Sequence, residues 1–338
     1  MEIVLIALML FGGALGIVSK KTVFSETLKR EATLSDGIRI EDRNSEVDQN
    51  QIFAKARTLI ELPVCENDDC DELQLKESEK DFNFVPLPAK KSDADSPKIS
   101  ARSAIIMDME TDYVILEKNS HERMPIASIS KIITALVAEE KLSSKHEIII
   151  SQRAIDTEGG TGKLNVNEKF FAKDLIDLML ISSSNDAATQ IALEISGNIE
   201  DFAELMNQKI KSFGLLDSNF VEPSGLNAKN ISTAFDIAQI ADSTFEESKI
   251  WGILGKSEMD AESVDGKTRR LKNTNQIISD SRIISGKTGF TNEAGGTLVV
   301  VAELGKEKRK MIFVILGSED RFGEMVTLLN WIEENYEL

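Results

Sequence analysis

The sequence predicts an α+β fold: an antiparallel β-sheet built from both ends of the globular region, flanked by helices, with an all-helical subdomain inserted between its strands. Three observations predict it. Short apolar runs bounded by turn residues stand early, at Ser103–Asp108 and Tyr113–Glu117, and late, at Ile283–Lys287, Thr297–Glu303 and Lys310–Leu316. Between them, from Ala172 to Phe213, apolar residues recur at helical spacing. An amphipathic segment, Glu319 to Tyr336, closes the chain and is placed to cover the sheet.

Residues 1–21 hold an almost wholly apolar run, Ile3 to Val18, followed by Lys20-Lys21. The run is slightly short for a spanning helix and carries Gly12, Gly13 and Gly16, which suits a signal-anchor or a signal-peptide core. The two lysines favour a cytoplasmic C-terminal side, against the export argued below. Residues 22–98 form an acidic stalk with weak periodicity, a short helical patch at Ile52 to Leu62, and Pro86, Pro88 and Pro97 near its end. Cys65 and Cys70, the only cysteines, are placed to close a small disulfide loop in an oxidising compartment. The domain that carries chemistry is expected over 99–338.

In that domain Glu110-Thr111-Asp112 turns between the first two strands, making a hairpin. A helix runs from about Ser128 to Leu142, and His146 to Ile150 is a short strand. Three helices follow at Ala172–Leu180, Asn185–Ile195 and Ile199–Phe213, with Gly197 and Gly214 as stop signals. Ser232 to Ser243 is a further helix with Ser232 or Thr233 as its cap. Ser257–Ser263 and Lys267–Leu271 are strands expected in the same sheet as the later ones, and Gly295-Gly296 and Gly305 mark turns among the last ones.

The net charge of −18 and the lack of a basic stripe with interleaved aromatics exclude nucleic acid as a partner. Two histidines, His121 and His146, are too few for a histidine-based zinc site, and no H-E-x-x-H is present.

The chemistry rests on three short motifs. Ser128-Ile129-Ser130-Lys131 is the single S-x-x-K of the chain, and one helical turn sets Ser128 beside Lys131. A lysine whose ammonium is desolvated or crowded by cations can take the serine proton. Alone, the stretch equally suits a capping serine with a lysine in solvent. Ser183-Ser184-Asn185 stands at the junction of two helices, where a cap is the ordinary reading, and Lys287-Thr288-Gly289 ends a strand, where a turn is. The three in this order, each at the edge of an element, form the known pattern of serine acyl-enzyme formers.

From about Ile99 to Leu338 the chain resembles the D-alanyl-D-alanine carboxypeptidases, the low-molecular-weight penicillin-binding proteins, which share the β-lactamase-like fold. Beyond the motifs, Glu122-Arg123-Met-Pro-Ile-Ala-Ser-Ile-Ser-Lys-Ile, Leu180-Ile-Ser-Ser-Ser-Asn-Asp-Ala-Ala and Gly286-Lys-Thr-Gly-Phe-Thr-Asn-Glu-Ala-Gly carry the resemblance. It implies that Ser128 attacks the carbonyl between the last two D-alanines of a peptidoglycan stem peptide and that Lys131 accepts its proton. Ser183, aided by the charge of Lys287, would relay a proton to the leaving D-alanine, and Asn185 would orient Lys131 and bind the substrate backbone. Lys287 and Thr288 would receive the terminal carboxylate. Gly289 and Phe290 continue that edge of the site, and the N–H groups of Ser128 and Phe290 would form the oxyanion hole. Covalent reaction with β-lactam antibiotics follows from the same chemistry, for which the resemblance implies no metal and no cofactor. The resemblance also implies work at the outer face of the cytoplasmic membrane, with the N-terminal segment as tether or as a cleaved signal.

Three positions depart from the family pattern. Ser184 stands where glycine is common and is expected to narrow the cleft. Phe290 stands where many relatives have histidine. Glu222-Pro223-Ser224-Gly225-Leu226 replaces the usual Asn-Pro-His-Gly-Leu. Glu222 keeps two alternatives open: a class A-like β-lactamase with Glu222 as deacylation base, and a loop carboxylate that only caps or pairs. A penicillin-recognising sensor without turnover is the third reading of the chain.

Overall fold

The computed structural model describes residues 85–91, 95–160 and 162–338. The expected anchor, the helical patch at 52–62 and both cysteines lie outside the described residues. Among the described residues no helix is long and apolar enough to cross a membrane.

The strands are β1 (Ala89–Lys90), β2 (Ser103–Asp108), β3 (Val114–Lys118), β4 (Met124–Pro125), β5 (Glu147–Ile149), β6 (Lys169–Phe171), β7 (Ile231–Ser232), β8 (Glu258–Glu262), β9 (Thr268–Lys272), β10 (Ile283–Thr291), β11 (Gly295–Leu304), β12 (Arg309–Ser318) and β13 (Tyr336–Glu337). The helices are α1 (Ser130–Lys141), α2 (Gln152–Ile155), α3 (Ala172–Ile181), α4 (Asn185–Ser196), α5 (Ile199–Ser212), α6 (Ala234–Thr244), α7 (Ile250–Leu254) and α8 (Arg321–Asn335).

The central sheet has five antiparallel strands in the order β10-β11-β12-β2-β3. The first hairpin of the domain therefore joins the last three long strands, as the sequence predicts. Alternation along β12 divides the core. Ile312, Val314 and Leu316 pack with the helical block on one face, where Ile132, Ile133, Leu178 and Ile237 lie. Met311, Phe313 and Ile315 pack under α8 on the other, against Met325, Leu328 and Ile332. Both faces are covered, so β11 and β12 are continuous apolar runs rather than alternating ones. Arg309 seals the start of β12 with a two-pronged ion pair to buried Asp108, at 2.6 and 2.9 Å.

Helix ends follow the expected capping chemistry. Thr233 accepts from the Asp236 N–H at 2.9 Å, and Gly197 stops α4 in the left-handed region with φ of 76°. Two expectations need correction. The strands at Ser257–Ser263 and Lys267–Leu271 do not join the sheet; β8 and β9 form a separate hairpin. The segment begun by Ser128 is not α-helical at its start, because Ala127–Ile129 forms a 3₁₀ turn before α1. One compact unit runs from Leu87 to Leu338. There β1 pairs with β13, and the Asp95 carbonyl accepts from the Trp331 indole at 3.0 Å.

Candidate active site

Local sequence explains how each group is held. Ser128 sits in the 3₁₀ turn, entered through Ala127 at φ of 48°, a conformation a non-glycine residue rarely adopts and which is stored strain. Ser128 makes no capping bond; Ser130 turns its hydroxyl back onto the Ala127 carbonyl at 2.9 Å. The capping reading of Ser128 is thereby removed. The reading of Lys131 as solvent-facing is also overturned, since the side chain is fully buried.

Lys131 Nζ donates to Ser128 Oγ at 3.0 Å, to Asn185 Oδ1 at 2.7 Å and to the Ser224 carbonyl. Those three acceptors match the three hydrogens of an ammonium. Burial pushes its pKa down to about 7, against an upward pull from Glu222 and Asp186. A lysine near neutral pH is matched to proton transfer at that pH. When it is neutral, its lone pair can face the Ser128 hydroxyl.

A second lysine–serine pair faces the first. Lys287 is fully buried on β10 and donates to Ser183 Oγ and to the Thr288 carbonyl, each at 3.0 Å. Burial holds its pKa well below the usual lysine value, and the charges of Lys131 and Arg321 add to that. Ser183 has φ of 58°, a second strained serine at the site. The next residue, Ser184, caps α4: its hydroxyl accepts from the Ala187 N–H at 3.2 Å and donates to Asp186. It is fully buried, so its hydroxymethyl group fills the helix end and does not narrow the cleft. Asn185 accepts from Lys131 and donates to the Glu158 carbonyl at 3.0 Å, which pins its amide from both sides.

Two glycines bring backbone against the Ser128 turn. A Cβ on Gly289 would lie 2.9 Å from the Ser128 nitrogen and 2.4 Å from Thr297 Oγ1. A Cβ on Gly225 would lie 2.0 Å from the Ala127 carbonyl oxygen, and Gly225 also needs its φ of +86°. Thus β10 and the 222–226 loop close on the Ser128 turn from two directions. Phe290 follows Gly289 and is 60% exposed. That exposure suits a position used through its backbone.

Two contributors were not legible in the motifs. Arg321, at the start of α8, stacks its guanidinium 5.8 Å from the Phe290 ring centroid, and its buried Nε has no hydrogen-bond partner among the described residues. It adds positive charge beside Lys287. Thr274 donates its N–H to the Ile181 carbonyl at 3.1 Å, and its hydroxyl is 2.6 Å from that of Thr288. Neither lies near a motif in sequence, so no local signal marks them. Among the described residues there is no cluster of three or more histidine, cysteine, aspartate or glutamate side chains suited to a metal ion.

Two half-buried serines, each hydrogen-bonded to a fully buried lysine between an antiparallel sheet and a helical block, define the class, a serine peptidase that works through an acyl-enzyme. The particular family follows from comparison. The sequence model described as D-alanyl-D-alanine carboxypeptidase matches residues 90–320, and the chain belongs to that family. It is 33% identical over 257 residues to the D-alanyl-D-alanine endopeptidase of Escherichia coli (strain K12), covering 74% of this chain and 82% of the relative. It is 31% identical over 247 residues to the D-alanyl-D-alanine carboxypeptidase DacF of Bacillus subtilis (strain 168), covering 70% of this chain and 63% of the relative. Among solved structures, a mutant of the streptomyces K15 DD-transpeptidase superposes with a TM-score of 0.65 at 26% identity, over 70% of this chain and 99% of that one. Penicillin binding protein 5 from Haemophilus influenzae gives 0.64 at 26% identity, over 70% and 72%.

Proposed function

We propose that this chain cleaves the peptide bond after a D-alanine in peptidoglycan stem peptides, through an ester on Ser128, and reacts covalently with penicillins by the same step. The observation that carries the proposal is the buried Lys131 amine, 3.0 Å from Ser128 Oγ and held by Asn185 and Ser224.

The steps follow from the groups in place. Neutral Lys131 takes the Ser128 hydroxyl proton as Oγ bonds to the carbonyl carbon. The developing oxyanion is received by the N–H groups of Ser128 and Phe290; one donor of this kind is worth about 3–4 kcal/mol. Ser183, beside the Lys287 ammonium, relays the proton taken up by Lys131 to the leaving nitrogen as the C–N bond breaks, which returns Lys131 to its neutral form. Water then attacks the ester as neutral Lys131 takes its proton, and that proton passes to Ser128 Oγ as the ester C–O bond breaks. Lys287, Thr288 and Arg321 supply the positive edge that binds the substrate carboxylate, and that carboxylate in turn favours the charged form of Lys287.

The relative named an endopeptidase favours a second substrate form, a cross-linked peptide. The same D-alanyl carbonyl is attacked there, and the leaving amine belongs to the neighbouring stem. The β-lactamase alternative has less support, because the Glu222 carboxylate is occupied by donors of its own loop. A turnover-free sensor is disfavoured by the complete second lysine–serine pair.

Peptidoglycan lies outside the cytoplasm, so the family's activity places the catalytic domain there. Tethering to the membrane through residues 3–18 belongs to the proposal. Retention of the full chain in the membrane fraction supports the tether, and its recovery in the soluble fraction removes it.

The test of function is intact-mass spectrometry with benzylpenicillin, run beside Ser128→Ala, with product analysis of diacyl-Lys-D-Ala-D-Ala and of cross-linked muropeptide dimers. A lasting Ser128-dependent adduct with release of D-alanine is the expected result. Conversion of dimers to monomers assigns the endopeptidase form. Rapid penicillin turnover without peptide cleavage overturns the proposal.

A further inference from the structure

Glu222 begins the loop that backs the nucleophile turn. Its Oε2 accepts from the Ser224 N–H at 2.7 Å and the Ser224 hydroxyl at 2.6 Å. Its Oε1 accepts from the Gly225 N–H at 2.6 Å, the Asn227 N–H at 3.3 Å and Asn230 Nδ2 at 3.0 Å. A carboxylate has about four lone-pair directions. Five donors converge on this one, which leaves no free direction for activating a water.

The loop so tied reaches the reacting groups at several points. The Ser224 carbonyl accepts from Lys131 Nζ. Gly225 lies against Ala127 and the Ser128 nitrogen. The Pro223 carbonyl accepts from Thr134 Oγ1 at 2.6 Å, one turn along α1 from Lys131. Asn230 donates to Ser130 Oγ at 3.1 Å, and its carbonyl accepts from the Ile126 N–H at 3.2 Å. The nucleophile segment from Ile126 to Thr134 is thus gripped along its length by one loop, and Glu222 is the node of that loop.

We propose that Glu222 is a positioning residue of the acylation step: it organises the 222–230 loop so that the Ser224 carbonyl holds Lys131 against Ser128, and its negative charge faces the base. The proposal rests on the assignment of Ser128 and Lys131 above. The charged groups around Lys131 are Glu222 on the loop, Asp186 on α4 and Lys287 on β10. Of the two carboxylates, Glu222 exerts the larger upward pull on the Lys131 pKa. Removing its charge makes the lysine proton easier to lose.

The experiment uses the full chain and its Glu222→Gln variant. It reads the second-order acylation constant with benzylpenicillin across pH, the adduct lifetime and the melting temperature. The acid limb of the variant is expected about one pH unit below that of the parent. The plateau is expected about tenfold lower, the equivalent of one hydrogen bond's hold on the base. A limb that superposes on the parent's, with only the melting temperature lowered, reduces Glu222 to a structural tie and overturns the proposal. Unchanged acylation with a longer-lived adduct overturns it the other way, by making Glu222 a deacylation base. If the glutamine variant does not fold, Glu222→Asp carries the test. It keeps the charge, so the limb stays within about 0.3 units while the plateau falls; an unchanged plateau overturns the proposal. If the parent chain forms no Ser128-dependent adduct at all, the failure lies in the assignment of Ser128 and Lys131 instead.

Discussion

Lys131 Nζ lies 3.0 Å from Ser128 Oγ on a side chain that is fully buried. In the proposed mechanism the serine proton therefore has a specific destination, an amine whose pKa burial lowers to about 7.

The acylation rate should follow the neutral fraction of Lys131. With its pKa lowered to about 7, the rate constant with benzylpenicillin rises through that pH and levels off above it. Well below the midpoint it drops about tenfold per pH unit. Lys131→Arg is permanently charged and should abolish the adduct at every pH, as intact mass will show.

The same shift bears on stability. A lysine whose folded pKa is depressed binds fewer protons in the native state than in the unfolded chain between about 7 and the ordinary value of 10.5. Unfolding free energy from this group therefore rises with pH over that window, and the penalty is fully present below it. Urea midpoints measured from pH 7 to 9.5 should climb in the parent, and the climb should be smaller in Lys131→Met.

Gly289→Ala should disable the site while the fold survives. The new Cβ would stand 2.4 Å from Thr297 Oγ1 and 2.9 Å from the Ile126 carbonyl and the Ser128 nitrogen. Overpacking of this sort costs about 1–3 kcal/mol and must move β10 away from the nucleophile turn. Acylation should fall at least about 10²-fold with circular dichroism unchanged.

Thr274→Val keeps the shape and removes the hydroxyl that meets Thr288 at 2.6 Å. The free Thr288 hydroxyl loses its orientation toward the substrate carboxylate. KM for the peptide should rise about five- to tenfold, with kcat little changed, in a steady-state assay of D-alanine release. A change in kcat alone would contradict a role in carboxylate binding.

Asp108→Ala should be costly far from the chemistry. It removes the two-pronged carboxylate contact of buried Arg309 and an acceptor of Thr111. Breaking one side of a buried pair costs about 3–5 kcal/mol, readable as a lowered urea midpoint.

Much of the architecture was legible because it is periodic. Ser103–Asp108 and Lys310–Leu316 carry the apolar runs of strands covered on both faces, and both pair within the sheet. The hairpin β8–β9 read as sheet because strand residues do not state their partners. The short strands β4, β7 and β13 and the helix α7 were not foreseen, since two to five residues hold less than one period of any pattern. Ser184 was read as a cleft residue because its neighbours carry the second motif, yet its hydroxyl is spent on the start of α4.

By itself the sequence determined that the chain holds S-x-x-K, S-x-N and K-T-G in order, each at the edge of an element, and that strands from both ends bracket a helical block. These are local matters of spacing and side-chain type. Tertiary structure alone decided the chemistry's strength. Lys131 meets Asn185 across 54 residues and Ser224 across 93, and Lys287 meets Ser183 across 104. Desolvation and the field of Glu222, Asp186 and Arg321 arise only when those segments pack together. A pKa depends on what surrounds a group in space, and chain order does not carry that information.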